Sequence, residues 1–492
     1  MKSNIKYIIT LSLVLMTGIS CKKELLTPVP LTVVSDATAF DTQARIEQNI
    51  RSLYANTKGG AFYAGRFIVY GDIRGEDFLN ETGNLVTGAD VWSLNPQGTS
   101  TNSVINLWAQ AYYTINLCNV SIEGITAKGP TVVGAQLTNN YLGEARLIRA
   151  LCYYSLLQLY ARPFADGAGS KPGLPLRLTA IKGPGSSDLA RSTVAQVYAQ
   201  IITDLNFAET NLPLTNASAE LNTTRAHRNT AIALKTRVYL SMQDYNNVIV
   251  EGTKLAPQTV APFSANAAPT GVIHALQPNI ATVFSTYNTT ESILSFPMTA
   301  AAGDNPGTQN QLGFYFVRNS TNPGSAEYSL NPTGIVGDVV GWPATDTRRN
   351  LIFTNTSNGK RFVNKYPLPS PFLDYPPVIR YAEVLLNLAE ALARRNSAGD
   401  MAKAIELLNA VRKRADSTVT LAPATQAALI NAILLERRIE FLGEGLRNND
   451  LMRLLQTIPA KGAVPAKAPT DQGYIWPISA NEMSLNKLMV DN

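Results

Sequence analysis

Two stretches of this 492-residue chain have the pattern of paired amphipathic helices, and they constrain the fold more than any other feature. Residues 231–255 predict a helix, a short turn at residues 243–244, and a second helix. Residues 378–416 repeat this design, with a turn at residues 396–400. Helix pairs of this kind bury their apolar faces by stacking on neighbouring pairs. The sequence therefore predicts a mainly α-helical scaffold.

Four other segments repeat apolar residues every three or four positions, and this spacing also predicts helices. They are residues 38–58, residues 104–123, residues 141–160 and a segment that ends at Leu212. Ser192 or Thr193 is placed to cap the last of them, because a hydroxyl oxygen accepts hydrogen bonds from the free N–H groups of a first helical turn.

Two long regions lack helical periodicity. Residues 59–101 mix glycine, aspartate, asparagine and aromatic residues, which predicts long loops. Residues 256–375 are dense in proline, glycine, asparagine and threonine but too aromatic to be disordered, which predicts an irregular lobe with some short strands. Because long ordered loops often carry function, candidate ligand-binding residues are sought in these two regions.

The first 20 residues have the composition of a secretory signal, in which two lysines precede a short apolar stretch and a group of small residues. Cys21 follows directly, in the position where a lipid is attached to bacterial lipoproteins. We therefore predict a lipoprotein signal peptide at residues 1–20 and a lipidated tether at residues 21–35. The alternative is an ordinary signal peptide cut near Ser20, which would leave Cys21 as a free thiol.

Charge and motifs exclude several classes of function. The formal net charge of +6 is too dilute over this length to indicate binding to nucleic acid. The chain has no nucleophile-elbow, P-loop or Rossmann glycine motif. Only two histidines occur, His227 and His274, and both are expected at the surface or in loops, which disfavours a histidine-rich zinc site. Cys118 and Cys152 are expected as buried free thiols, although the sequence leaves a disulfide between them open.

Four motifs occur in order along the chain. They are WAQAYYTINLCN at residues 108–119, GEARLIRALCYYSLLQLYARPF at residues 143–164, VIRYAEVLLNLAEALARR at residues 378–395 with LLNAVRKRAD at residues 407–416, and ILLERRIEFLGEGLRNNDLMRLL at residues 433–455 with YIWPISANEM at residues 474–483. Together they resemble the SusD/RagB family of outer-membrane nutrient-binding lipoproteins.

The resemblance implies a mainly α fold, in which tetratricopeptide-like helix pairs form the scaffold and a loop-rich irregular lobe carries the ligand site. It divides the chain into a SusD-like N-terminal part, residues 36–255, and a SusD/RagB C-terminal part, residues 256–492. In the second part, the loop-rich lobe of residues 256–375 precedes helical pairs at residues 378–455 and a C-terminal tail.

The resemblance also implies what the protein does. It would be a non-catalytic, surface-exposed lipoprotein, held on the outer-membrane lipid through Cys21. It would bind an oligosaccharide, a polysaccharide or another nutrient and deliver it to a SusC-like TonB-dependent transporter barrel. No cofactor, metal or nucleic acid is expected.

Two loop regions combine aromatic rings, which stack on the apolar face of a sugar, with polar groups that bind its hydroxyls. The candidate ligand-binding residues are Asp72, Arg74, Asp77, Asn80 and Trp92 in the first region, and Tyr315, Arg318, Tyr328 and Trp342 in the second. Trp92 and Trp342 are favoured, whereas Trp108 and Trp476 are expected in the core. The alternative for each candidate aromatic is an apolar anchor that holds a loop on the scaffold.

Glu436, Glu440 and Glu444 lie four residues apart, and paired carboxylates can serve in acid–base catalysis. The arginines between them favour ion pairs instead. The same interpretation applies to five further residues, Arg146, Arg149, Arg380, Glu383 and Glu390. Two other functions stay open: a helical-fold glycoside hydrolase that uses paired loop carboxylates, and a tetratricopeptide scaffold for protein interactions.

Overall fold

A computed structural model describes residues 38–183, 185, 188–265, 271–301, 303–318 and 326–492. The predicted signal peptide, the tether of residues 21–35 and Cys21 lie outside these ranges. Within them, no helix has both the length and the apolar character needed to cross a bilayer.

The described residues form helices and a few short strands. The helices are α1 Gln43–Thr57, α2 Arg66–Ile73, α3 Ala89–Trp92, α4 Asn106–Val132, α5 Gly134–Tyr160, α6 Val194–Asn211, α7 Ala219–Thr224, α8 Arg228–Ser241, α9 Tyr245–Leu255, α10 Ala281–Ser285, α11 Leu312–Phe316, α12 Tyr381–Arg395, α13 Asp400–Ala415, α14 Gln426–Glu440, α15 Arg447–Arg453 and α16 Ala480–Leu485. The strands are β1 Phe78–Asn80, β2 Ser264–Ala265, β3 His274–Ala275, β4 Ser292–Ser295, β5 Tyr328–Leu330, β6 Ile352–Thr354, β7 Arg361–Val363 and β8 Pro377–Arg380.

The long helices form a continuous stack that confirms the predicted helix pairs. Helix α4 packs on α5, α5 on α6, α6 on α8, and α8 pairs with α9. Helix α9 then packs on α12, which pairs with α13 and also contacts α14. A Cβ atom at Gly252 would lie 3.1 Å from the Cβ of Leu388, so the small residue allows α9 and α12 to approach closely.

The predicted helix ends agree with the structure because they rest on local chemistry. Thr193 caps α6, and its hydroxyl accepts a hydrogen bond from the backbone N–H of Gln196 at 3.2 Å. Asp244 caps α9 in the same way, after the predicted turn between the two helices. Helix α12 ends at Asn396, whose φ of 53° is the left-handed conformation that asparagine tolerates.

The region of residues 59–101 contains α2, α3 and β1 and is therefore more regular than the long loops predicted from sequence. All eight residues of α2 are buried, so the helix has no polar face from which a helical period could be recognised. Gly71 in this helix lies against Gly445, and a Cβ there would be only 2.1 Å from the carbonyl oxygen of Gly445.

The lobe of residues 256–375 is irregular with short strands, as predicted, and two strand pairs join it to the rest of the protein. Strand β5 pairs antiparallel with β1, with Leu330 opposite Phe78. Strand β4 pairs antiparallel with β8, with Ser292 opposite Arg380 at the start of α12. Strands β6 and β7 form a hairpin within the lobe. These pairs place lobe strands beside the segment that follows α2 and beside the start of α12.

The core contains the aromatic and thiol side chains that the sequence assigned to it. Trp108 and Trp476 are both buried, and Trp476 lies 5.4 Å from the ring of Tyr160 between centroids. Cys118 and Cys152 are buried free thiols. Burial raises the pKa of both thiols well above the ordinary value, which keeps them protonated and unreactive.

Candidate ligand-binding cleft

Three charged candidates, Asp72, Arg74 and Asp77, are buried and bound to other parts of the protein. The Asp72 carboxylate accepts a hydrogen bond from the backbone N–H of Gly445 at 2.7 Å, and burial raises its pKa well above the usual range. The Nε of Arg74 donates to the Oδ1 of Asn448 at 2.8 Å. The Asp77 carboxylate is paired with an arginine of α14. These side chains hold the end of α2 and the segment after it in place, and they are not exposed at the surface.

Three aromatic candidates are also covered by protein. The rings of Tyr315 and Tyr328 stack with their centroids 6.3 Å apart, and each hydroxyl donates to a backbone carbonyl. Trp342 is only 1% exposed, and the guanidinium of Arg349 lies 4.3 Å from the centroid of its ring. Because no ring face is open, these side chains pack α11, β5 and the loop around Trp342 within the lobe, which agrees with the alternative interpretation of apolar anchors.

Asn80 and Trp92, by contrast, line a surface cleft of about 460 Å³. Its other walls come from β5 and from the β6–β7 hairpin, including Asn358 and Lys360. The last candidate, Arg318, is half-buried in the lobe and is not among the residues that line the cleft, so its role stays a prediction. The structure therefore brings together two of the nine predicted side chains at one open surface.

The indole of Trp92 is held in a fixed orientation at the edge of the cleft. Its Nε1 donates a hydrogen bond to the backbone carbonyl of Phe78 at 2.8 Å. The ammonium of Lys461 lies 5.8 Å from the ring centroid and donates to the carbonyl of Gly75, at the end of α2. A Cβ at Gly462 would lie 3.7 Å from the ring, so this glycine leaves space beside the indole. Such a fixed, partly exposed ring is suited to stacking.

Polar side chains form the opposite wall of the cleft. The Glu81 carboxylate accepts a hydrogen bond from the hydroxyl of Ser329 and forms an ion pair with Lys360. The Lys360 side chain is 47% exposed, whereas that of Glu81 is 17% exposed. Arg361 follows Lys360 on the same wall, and its Nη1 donates to the carbonyl of Val336. The cleft thus combines one aromatic face with hydrogen-bond donors and hydrogen-bond acceptors.

A second cleft, of about 910 Å³, lies near the C-terminus and is lined by polar residues such as Asn95, Gln97 and Asp471. Its aromatic residue, Tyr474, is 1% exposed, and the guanidinium of Arg162 covers the ring at 5.1 Å from the centroid. This cleft presents no open ring face, so the cleft beside Trp92 is the better fit for a sugar.

The carboxylates of α14 and the turn after it are ion-paired, as predicted. Glu440 lies 2.8 Å from the Nη1 of Arg348 and 2.5 Å from the Nη1 of Arg380. Burial alone would raise the pKa of Glu440, but the neighbouring arginines hold it well below its ordinary value. Glu436 and Glu444 are bound by basic side chains in the same cluster. The pKa values of Glu440 and Glu444 are lowered, whereas a general acid needs a raised one.

The other predicted ion pairs are also present, and they join separate elements. Arg149 and Arg146 pair with Asp204, Arg380 with Glu291, Glu383 with Arg237, and Glu390 with Arg453. Their partners come from elsewhere in the fold, except that Glu390 also pairs with Arg394 one turn along α12. These side chains are therefore structural.

The prediction that both histidines lie at the surface or in loops holds only in part, because His227 lies in the loop before α8 but His274 lies in β3, and neither is at the surface. His227 and His274 are buried, and their rings stack with centroids 5.4 Å apart. The Nδ1 of His227 accepts a hydrogen bond from the backbone N–H of Asn229 and so caps α8. Burial lowers the pKa of both imidazoles, that of His274 to about 4. Within the described ranges, no group of three or more histidine, cysteine, aspartate or glutamate residues is arranged to hold a metal ion.

Sequence reasoning missed several residues of the cleft, among them Glu81, Lys360, Arg361 and Gly462. A sequence signal was available for Lys360 and Arg361. The Asn358–Gly359 pair is typical of a hairpin turn, and it places Lys360 just before the next strand and Arg361 at its start. Gly462 comes from a distant loop, and no local pattern marks it.

Comparison with known proteins decides the family. Residues 31–240 match a SusD-like family model described as starch-binding and associating with the outer membrane, and residues 373–492 match the SusD family model. A SusD superfamily protein of known structure from Bacteroides fragilis is 30% identical, with a TM-score of 0.80 over 92% of this chain and 99% of that protein. This chain belongs to the SusD/RagB family. The predicted family and the mainly helical fold are thereby confirmed.

Two other relatives share most of their length with this SusD/RagB protein. SusD-like protein P25 of Formosa agariphila is 22% identical over 99% of this chain and 98% of its own. A laminarin-binding SusD-like protein of known structure is 20% identical, with a TM-score of 0.69 over 92% of this chain and 99% of its own. At this identity the second comparison shows a common fold.

Proposed function

We propose that this SusD/RagB protein is a non-catalytic, surface-exposed lipoprotein of the outer membrane. It binds a glycan in the cleft beside Trp92 and delivers it to a SusC-like TonB-dependent transporter. The proposal rests on the partly exposed indole of Trp92, which a hydrogen bond to a backbone carbonyl holds in a fixed orientation. The indole lines a cleft that also contains amide and charged side chains.

The chemistry of the cleft suits a sugar. One face of a pyranose ring consists of C–H groups, which pack on an indole, while its rim of hydroxyls requires donors and acceptors. Asn80, Asn358 and Glu81 supply such groups around Trp92. The cleft volume of about 460 Å³ is within the usual range of small-molecule sites, roughly 300–1,000 Å³. It would therefore hold a short segment of a longer glycan.

The same cleft gives little support to the alternative of a glycoside hydrolase. Hydrolysis with retention or inversion generally requires two carboxyl groups on either side of the scissile bond. In the described part of the chain, Glu81 is the single carboxylate that lines this cleft, and it is bound by Ser329 and Lys360. This arrangement favours binding without catalysis.

Delivery to a transporter and anchoring through Cys21 follow from the family rather than from the cleft. The family model is described as associating with the outer membrane, and Cys21 would carry the lipid that holds the protein there. The tether of residues 21–35 would leave the helical scaffold beside the barrel. Extraction in mild detergent should yield a stable complex with a large outer-membrane barrel, and recovery as a free monomer would contradict this part of the proposal.

Calorimetric titration of the mature chain with neutral and charged oligosaccharides tests the binding site. Trp92→Ala should weaken glycan binding about tenfold or more, because the stacking surface is lost. Tyr113→Ala is the matched control, since Tyr113 is a 56% exposed aromatic outside the cleft. If both folded variants bind as tightly as wild type, the site is elsewhere. New reducing ends during incubation would instead support a hydrolase.

A further inference from the structure

Two arginines converge on one backbone carbonyl at the wall of the cleft. Arg361 Nη1 donates to the oxygen of Val336 at 3.0 Å, and Arg349 Nη1 donates to the same oxygen at 2.7 Å. Burial lowers the pKa of Arg349, and the nearby charge of Arg361 lowers it further. Since Arg361 lines the cleft, positive charge is concentrated at this wall.

The described residues supply little negative charge to balance these arginines. Neither Arg349 nor Arg361 forms an ion pair within the part of the chain that the structure describes. Glu81, in the cleft, is already bound by a serine and a lysine. Asp346 is paired with other arginines, and the Asp338 carboxylate accepts two backbone N–H groups of its own loop. The wall therefore keeps an excess of positive charge.

The internal segments outside the described ranges do not supply the missing charge either. Their residues are 184, 186–187, 266–270, 302 and 319–325, and none of them is aspartate or glutamate. Neither these internal segments nor the ion pairs of the described residues give Arg361 a carboxylate partner, so the anion of a ligand can pair with it.

We propose that the cleft selects glycans that carry an anionic substituent, a uronate carboxylate or a sulfate ester, and that Arg361 determines this specificity. This inference rests on the proposed function of the cleft. A guanidinium pairs with two oxygens of a carboxylate or sulfate at once, and such charge-assisted bonds are stronger than bonds to neutral hydroxyls. Arg361 is half-buried, so it gains more from a paired anion than a fully hydrated cation would.

Titration of the mature chain with three oligosaccharides of similar length tests the specificity. The probes are a neutral laminarin fragment, an oligogalacturonate and a carrageenan fragment that carries sulfate. Wild type should bind at least one anionic probe about tenfold or more tightly than the neutral one, and added salt should reduce the difference. The uronate and sulfate arms identify which anion is preferred.

Arg361→Gln should abolish this preference, so that the ratio of anionic to neutral affinity falls to about one. Lys360→Gln, at an exposed position on the same wall, provides a second variant and should reduce the same affinity ratio. Arg51→Gln is the matched control, because Arg51 is 62% exposed and lies on α1, away from the cleft.

Equal affinity of wild type for all three probes would overturn the inference, and so would an Arg361→Gln variant that keeps the preference. In either case a loss of binding in Trp92→Ala would still support the proposed glycan site. If no glycan of any charge binds to the mature chain, the proposed function falls together with the inference.

Discussion

Replacing Glu440 by glutamine should strongly destabilise the fold, because it removes one charge from a balanced, buried cluster. The cluster joins the lobe to β8, α13 and α14. Its cations are Arg348, Lys365, Arg380, Arg412 and Arg414, and its anions are Glu291, Asp346, Glu436, Glu440 and Glu444. Glu440 is fully buried and contacts three of these arginines. Glutamine has nearly the same shape, so the variant isolates the effect of charge.

The loss of stability can be calculated from the unpaired positive charge that the substitution leaves in the cluster. In the Glu440→Gln variant, five buried cations would be balanced by only four carboxylates. Removing one partner of a buried ion pair lowers the free energy of unfolding by about 3–5 kcal/mol, because the other charge stays buried and unpaired. The entropy of unfolding is roughly 2 cal/mol/K per residue, so for a chain of this length the unfolding midpoint should fall by roughly 3–5 °C. Urea unfolding followed by circular dichroism measures the free energy directly.

Glu47→Gln is the control, because Glu47 forms a surface pair with Arg51 and has a side chain that is 31% exposed. Such a pair is worth about 0–1 kcal/mol. Adding Arg414→Met to Glu440→Gln removes the excess cation, so the double variant should be less destabilised than the sum of the single changes. If Glu440→Gln and Glu47→Gln lower the free energy of unfolding equally, the buried cluster does not have the role assigned to it.

Two further predictions concern pH and the anchor. Burial lowers the pKa of His227 and His274 in the folded protein, so below about pH 6.5 only the unfolded chain takes up these protons. Between pH 7 and pH 5.5 the two histidines should therefore lower the free energy of unfolding by about 2 kcal/mol, and His227→Asn with His274→Gln should remove this contribution, measured as the difference between variant and wild type in urea titrations. Cys21→Ala should move the protein from the membrane fraction to the soluble fraction while glycan affinity stays unchanged, and a variant that still sediments with membranes would contradict lipid anchoring.

The helical scaffold could be predicted because its signals are local. The helices α6, α8, α9, α12 and α13 each have an apolar face, a capping residue or a turn that the sequence shows directly. Helix α2 could not be predicted in this way. It is buried on all sides, and its sequence therefore has no amphipathic period.

For the candidate site, too, local sequence indicated one part of the answer and only long-range contacts decided the rest. The composition of residues 72–92 indicated a polar and aromatic region, but sequence could not tell which side chains point outward. The side chains of Asp72 and Arg74 form hydrogen bonds with residues more than 300 positions away in the sequence, whereas Asn80 and Trp92 line the cleft. Similar residue types in one segment thus have opposite roles, and only long-range contacts separate them.

The sequence by itself determined the family, the helical pairs and the ion-paired character of the glutamates in α14. Motifs and helical periodicity depend only on residues that are close together in the sequence. Only the tertiary structure decided where a ligand can bind. The cleft is assembled from residues 79–81, Trp92, residues 329–330, Pro332, residues 358–361 and Gly462. These segments meet because β1 pairs with β5 and the β6–β7 hairpin packs beside them, and among the described residues that line the cleft Trp92 supplies the aromatic ring.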